Sequence, residues 1–426
     1  MAEVTAVAAR PRSVDGPTSA RGSWDPLIRP FAWLLLCAAL FYNFDVIGGK
    51  IIIPNTFPLL LGVACVGMAV ILPRSHRVYL PMGALSILAM GVLSVLWSRD
   101  EDATILWLRS RGLVTIGIAA LVLVLPTVDA TKVFKGFVRI TLLVTLLAVA
   151  VDAKARIHID PLGMSPPLKG WHGWFVHKNV MASFLIFALA TTLAFDKNRI
   201  VQFLNVAAIT FLFVVSDSTT GRMAAVTLVA VYVWATLNRR LDRRSSAAFG
   251  VSTAALVAVA GTAIGASLTA LADAAGKDLT FTGRTKIWTA SWHAILRDPI
   301  LGHGINGLFG TPYTTETASV FREVGFIAGH AHNGLIDVAV QLGAVGVVLV
   351  VAVIVAIFRS ALRLQRRSPD VAVWALSLIS AIVVMSVGES VFLGASIATL
   401  IMLRVILLRE APPTPRGIES ATRRRD

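Results

Sequence analysis

Long apolar runs alternate with short polar connections from about residue 31 to residue 408. A helix that crosses a hydrocarbon core needs about 20 mostly apolar residues. Twelve stretches approach that length: 31–48, 54–73, 78–97, 112–127, 137–152, 179–195, 200–216, 223–238, 247–272, 334–358, 371–388 and 391–408. The pattern predicts an all-α polytopic membrane protein with about 12 transmembrane helices. Residues 1–30 form a polar, disordered tail and 409–426 a second polar tail, around one membrane domain over 31–408. No small-residue cleavage site follows the first apolar run, so that run is read as an uncleaved helix.

The polar connections differ in kind. Basic clusters occupy alternate ones: Arg74 and Arg77; Lys132, Lys135 and Arg139; Lys197 and Arg199; Arg239 to Arg244; Arg359 to Arg367. Both tails add arginines. Lys and Arg concentrate on the cytoplasmic side of membrane proteins. With about 12 spans, every cluster and both termini fall on that side, as in a bacterial inner membrane. The opposite connections are then periplasmic: 98–111, 153–178, 217–222, and one large loop over about 273–333. That loop carries Trp288, Trp292, Phe309, Tyr313, Phe321 and Phe326, too aromatic for a disordered linker. Within it, Trp288, Trp292 and Ile295 recur at helical spacing, and Asp298-Pro299 closes the run. This predicts an amphipathic interfacial helix with Arg284 at its start.

Composition sharpens the picture. The 426-residue chain is 56% hydrophobic and 15% charged, against about 25% charged residues in soluble domains; its mean hydropathy is +0.75. The net charge of +15 is explained by the cytoplasmic clusters, and nucleic acid is not expected as a partner. Cys37 and Cys65 lie inside apolar runs and read as small buried hydrophobes.

Several apparent motifs carry no chemistry. Gly302-His303-Gly304-Ile305-Asn306-Gly307 matches a dinucleotide fingerprint but lacks the strand before it; it is expected to be a flexible loop. His293, His303, His330 and His332 suggest a metal site, but no carboxylate or cysteine completes one. The expectation is therefore no metal and no cofactor.

The residues suited to chemistry sit at the outer boundary. Arg222 follows a turn of only about six residues between two spans, near membrane depth, where charges are costly and usually functional. A snorkelling arginine is the competing reading. Arg284 presents the same choice. A guanidinium is permanently charged and planar, suited to bidentate phosphate recognition, so two outer arginines point to an anionic headgroup or a lipid pyrophosphate. His332 precedes a long apolar helix and is suited to accept a proton near neutral pH; an interfacial histidine bonded to backbone is the alternative. Asn333 and Asp337 are i,i+4 neighbours that can orient one another. His177 and Lys178 either bind substrate or anchor the chain at the interface.

These residues, in this order, resemble the O-antigen ligase superfamily. His332-Asn333, followed by Gly343 and Gly346, fits its histidine signature, with Val347-Val348 where the family pattern ends in Thr-Val. Trp97-Ser98 after the third span, Gly221-Arg222 after the seventh, and Gly283-Arg284-Thr285 with Trp288 opening the large loop are similar to the family. Gly173-Trp174-Phe175-Val176-His177-Lys178-Asn179 is similar to a segment of ExoQ-like exopolysaccharide polymerases. The resemblance implies a GT-C-like membrane fold and a metal-independent, inverting glycosyltransferase. Its donor is a glycan on undecaprenyl pyrophosphate, and its acceptor a growing polysaccharide, or lipid A–core if the protein is a ligase; a chain-length regulator is a possible partner. By the same resemblance His332 is the general base, Arg222 and Arg284 hold the pyrophosphate, and His177, Lys178 and Asn333 contact substrate. A secondary transporter is the alternative of another class: about 12 spans suit one, but two related halves are not visible, and the polar residues crowd the outer loops rather than the midplane.

Overall fold

The computed structural model describes residues 25–40, 56–71, 81–125, 130–157, 170–175, 177–241, 245, 284–309, 315–324, 329–393 and 395–410. Those residues form helices and loops with no sheet. In chain order the helices are α1 (Asp25–Leu40), α2 (Thr56–Ile71), α3 (Met82–Leu93, prolonged by a 3-10 turn to Trp97), α4 (Glu101–Val124), α5 (Ala130–Val151), α6 (Lys178–Phe195), α7 (Arg199–Ser216), α8 (Thr219–Asn238), α9 (Arg284–Arg297), α10 (Thr315–Val324), α11 (Gly334–Leu364), α12 (Pro369–Met385) and α13 (Ala395–Glu410). Among them, α4, α5, α6, α7, α8 and α11 are long and apolar enough to cross a membrane. Shorter apolar helices cover Leu59–Ile71, Met82–Trp97 and Pro369–Met385. The chain is an all-α polytopic membrane protein; the expected ninth span, 247–272, lies outside the described residues.

Helix starts are set by side chains that accept the orphan N–H groups of a first turn. His177 Nδ1 accepts from Asn179 N, Asn198 from Ile200 N and Val201 N, Ser218 from Gly221 N, and Asn333 from Leu335 N and Ile336 N. These caps explain why α6, α7 and α11 begin within a residue of the hydropathy boundaries. The same chemistry corrects residues 98–111, expected as an outer loop. Asp100 Oδ1 accepts from Ala103 N at 2.9 Å, and Glu101 and Asp102 occupy the first turn, where the helix dipole favours acids. The helix therefore starts at Glu101 and runs on into the fourth span through a π-helical turn at Leu108–Gly112.

Helix α6 is the axis of the bundle: 13 of its 18 residues are buried. It packs against α5, α7, α8 and α12. Phe134, Phe187 and Phe195 gather around Trp374, the Phe134 ring stacking on it at 5.8 Å between centroids. In contrast α7 and α8 expose Phe203, Leu204, Val214, Met223 and Val226, a surface that suits lipid, not water.

The helices alternate in direction, so their connections collect at two ends. One end, called distal below, holds Arg199 and, joined by ion pairs, Lys197, Arg239 and Asp370; there Asn238 also bonds Gln365 and Ser368 bonds Glu410. The described basic clusters of the sequence lie together at this end, as the charge alternation predicts. The proximal end gathers the starts of α6, α8, α9 and α11 and the end of α12.

Helix α11 breaks at Gly343, where φ is 62° and ψ −163°, a region open essentially to glycine alone. The segment 299–304 fills the break. Ala344 N donates to Pro299 O, Val345 N to Ile300 O, His303 N to Val340 O and Gly304 N to Gln341 O. A Cβ on Gly343 would lie 2.2 Å from Ile300 O, and one on Gly302 2.6 Å from Gly343 N. This corrects the Gly302–Gly307 stretch, expected as a flexible loop: His303, Ile305 and Leu308 are fully buried, and Arg99, paired with Asp298, holds the segment's outer edge.

Candidate active site

Five segments converge at the proximal end: the start of α6, the turn before α8, the start of α9, the loop before α11, and the loop between α12 and α13. Their hub is Glu389, a buried carboxyl that the sequence reading did not single out. Its Oε1 accepts from Asn179 Nδ2 at 2.6 Å and from Arg284 Nη2 at 3.2 Å. Its Oε2 lies 3.9 Å from His332 Nδ1. Asn179 Oδ1 in turn accepts from Ser218 Oγ at 2.9 Å. Gly388 is required for this meeting, because a Cβ there would come within 2.9 Å of Arg284 Nη1 and 2.8 Å of Thr220 Oγ1.

The loop carrying His332 is braced from several directions. Ala331 N donates to Asp337 Oδ1 and Ala331 O accepts from Trp288 Nε1. Gly334 N donates to Ser386 O at 2.7 Å. His332 itself has φ +50°, uncommon for a residue with a Cβ and sustained only where surrounding contacts over-determine it. Its N–H donates to His330 Nδ1, and the two rings lie 4.0 Å apart between centroids. His332 Nδ1 is buried and makes no hydrogen bond.

Burial and neighbouring charge set the protonation states. Burial pushes His332 down to about 3, helped by the fixed charge of Arg284. Burial, then Arg111 and Arg284, pushes His330 down to about 4. Burial raises Glu389 to about 7 against the opposing pull of Arg284 and Lys178. Both imidazoles are therefore neutral at physiological pH, beside fixed positive charge.

Of the residues singled out in the sequence, Arg284, His332, His177 and Lys178 are brought together here. Lys178 Nζ donates to Asp217 O at 3.3 Å. Asn333 has a role in the fold: its Oδ1 caps α11 and its Nδ2 donates to Val387 O. Its side chain does not orient Asp337, which is held instead by Ala331 N and by Gln341 Nε2 at 2.8 Å. Arg222 stands apart, on the first turn of α8. Its guanidinium donates to Phe213 O, Val214 O and Asp217 Oδ1, closing the end of α7. On α9 the face packed against the protein is Ile287, Ala290, Ser291 and Ala294, and Trp292, on the face expected to meet the membrane interface, is 57% exposed.

The four-histidine cluster is likewise corrected. His293 pairs with Glu323 at 2.9 Å, and buried His303 faces Val340 O and Asp298. His330 and His332 instead acquire the carboxylate that the sequence reading lacked: their ring nitrogens and a Glu389 oxygen all lie within 4.8 Å of one another. Three such atoms can ligate a cation. Yet Arg284, Arg111 and Lys178 make the surrounding field positive, and that field suits an anion.

Glu389 had a signal in the sequence. It stands between two apolar runs, 371–388 and 391–408, with no room for a solvated loop, the same argument that singled out Arg222. Arg111 ends the charged connection 98–111, where the fourth apolar run begins; the π turn that carries it, a distortion frequent at functional sites, is visible only in the structure. Asn179 ends the Gly173–Asn179 segment and Ser218 lies in the 217–222 connection, but their bonds to Glu389 and to one another span 210 and 39 residues and are visible only in the structure.

Residues 204–351, which include Arg222, Arg284, His332 and Gly343, match the family model described as O-Antigen ligase. Over 86 residues the chain is 34% identical to the exopolysaccharide production protein ExoQ of Rhizobium meliloti (strain 1021). That stretch covers 20% of this chain and 20% of the relative, about a fifth of either length.

Proposed function

We infer, from a chain that belongs to the O-antigen ligase and polysaccharide polymerase superfamily, that it transfers glycan from an undecaprenyl-pyrophosphate-linked donor to a sugar hydroxyl at the proximal end. The observation that carries this reading is the convergence of Arg284, His332 and Glu389, which sets a neutral imidazole beside a guanidinium at the membrane boundary. The arginine suits a leaving pyrophosphate, whose charge grows as the anomeric C–O bond breaks. Arg222 can join it, because its pair with Asp217 is exposed and such pairs are worth about 0–1 kcal/mol.

His332 acts as the general base. As free protein its low basicity is due partly to Arg284; a bound pyrophosphate offsets that charge and makes the ring a better proton acceptor. The acceptor hydroxyl loses its proton to His332, its oxygen bonds to the anomeric carbon, and undecaprenyl pyrophosphate departs from the opposite face, a single displacement with inversion. Glu389 stabilises the imidazolium so formed. The reaction needs no metal, because His332 and Glu389, two of the three potential ligands, are engaged in this relay.

The acceptor is a growing polysaccharide in preference to lipid A–core, the reading favoured by the similarity to a protein named for exopolysaccharide production. Transport is disfavoured, because the backbone groups freed at the break in α11 bond the segment 299–304, whereas discontinuous transporter helices turn theirs to a substrate or ion.

The test is purified protein with lipid-linked oligosaccharide, scored for longer chains, with a chelator in parallel. His332→Ala is expected to slow elongation about 10²–10⁴-fold, the usual contribution of a positioned base, with donor binding retained. Arg284→Lys, which keeps charge but loses the fork, is expected to weaken both. A His332→Ala protein as fast as the parent overturns the base assignment; activity lost to the chelator and restored by a divalent ion overturns metal independence.

A further inference from the structure

The distal end holds a cavity of about 170 Å³ between the end of α6, the start of α7, the end of α8 and the start of α12. Its lining includes Lys197, Arg199, Gln202, Tyr232, Arg239 and Asp370. Asp196 also borders it, but that carboxylate is engaged by Arg139 and by Asn205 Nδ2. Asp370 faces two cations, Lys197 Nζ at 2.7 Å and Arg239 at 3.6 Å. Among the described residues Arg199 meets only a neutral acceptor there, donating to Gln202 Oε1 at 3.1 Å. Three cations thus face one carboxylate not engaged elsewhere, and the cavity carries an excess of positive charge.

Its position says where the matching anion comes from. Helix α6 starts at the candidate active site and ends at this cavity, 18 residues later, or about 27 Å at 1.5 Å per residue. That is close to the thickness of a hydrocarbon core, about 30 Å. With the active site at one membrane boundary, the cavity lies at the headgroup level of the other. Beside it, α7 presents Ile200, Phe203 and Leu204, 72%, 71% and 59% exposed, an apolar face running from the cavity toward the bilayer centre. Phosphate recognition beside an acyl-chain surface is the chemistry of a phospholipid, and basic pockets between membrane helices take anionic headgroups.

We propose that this cavity is a binding site for the phosphate of an anionic glycerophospholipid in the leaflet opposite the active site, held by Arg199 with Arg239 and Lys197, its acyl chains lying on α7. The reading is independent of the transfer reaction.

The experiment uses the full-length protein purified in zwitterionic detergent and offered phosphatidylglycerol, phosphatidylcholine or inorganic phosphate. Bound lipid is counted by native mass spectrometry, and the thermal unfolding midpoint is read in parallel. The parent protein is expected to retain phosphatidylglycerol over phosphatidylcholine, with a raised midpoint. Arg199→Gln breaks no ion pair seen in the structure, so its midpoint in phosphatidylcholine is expected to be unchanged while the preference falls about fivefold, the effect of one basic residue near a headgroup. Arg366→Gln, an exposed arginine at the same end, is the control and is expected to keep the preference. Equal retention of the two lipids, an Arg199→Gln protein with the parent's preference, or an equal loss in Arg366→Gln each overturns the site. Inorganic phosphate reproducing the midpoint shift at the same concentration overturns the lipid as its source.

Discussion

At the scale of single residues, the proximal site joins groups whose charges oppose one another. Glu389 ionises as pH rises through about 7, and its carboxylate then competes with a pyrophosphate for Arg284. Below that pH the neutral carboxyl leaves the guanidinium to the donor. The apparent KM for lipid-linked donor is therefore expected to rise with pH across about pH 6 to 8. In Glu389→Gln, whose amide does not titrate, the same profile is expected to be flat. Steady-state kinetics at saturating acceptor check this, and a Glu389→Gln profile parallel to the parent's removes the competition. His332 supplies no break in that window, because it is neutral throughout it.

At the scale of elements, the interruption of α11 positions the His332 loop. The segment 299–304 bonds the backbone freed at Gly343, and Asn306 N donates to Gln341 Oε1, whose amide holds Asp337, which holds Ala331 N. Gly343→Ala forces a side chain into glycine-only backbone space, costing about 1–3 kcal/mol, and drives a Cβ against Ile300 O. A clearly lowered thermal midpoint and a loss of elongation activity are expected together. Gly136→Ala, on α5 where a Cβ meets nothing within 4 Å, is the control; it is expected to be neutral or slightly stabilising. A Gly343→Ala protein with the parent's midpoint would show that the break is not needed.

At the scale of the molecule, the two ends differ in charge, and the basic end is expected to face the cytoplasm. Cys37 and Cys65 are buried, so an introduced thiol is the accessible one. Arg322, on α10, and Arg366, after α11, are both exposed. Arg322→Cys is expected to react with a membrane-impermeant maleimide in intact cells, and Arg366→Cys only after the membrane is opened. The reverse pattern would put the reaction, and its donor, on the cytoplasmic side.

Hydropathy and charge were enough to read the helices, their approximate limits and the gathering of basic clusters at one end, because burial in lipid demands long apolar runs and local N-caps mark where they begin. They also led to Arg284, His332, His177 and Lys178, each a polar group where an apolar run starts or stops. The tertiary structure alone decided what these groups face. Asn333 carries the same local signal as His332, yet it caps a helix; Arg222 carries the same signal as Arg284, yet it closes the end of α7. Glu389 reaches Arg284 and Asn179 across 105 and 210 residues, and the break in α11 is filled by a glycine-rich segment about 40 residues upstream. Local pattern records the medium around a residue, water, headgroup or hydrocarbon. Which partner completes a buried charge depends on how distant helices pack.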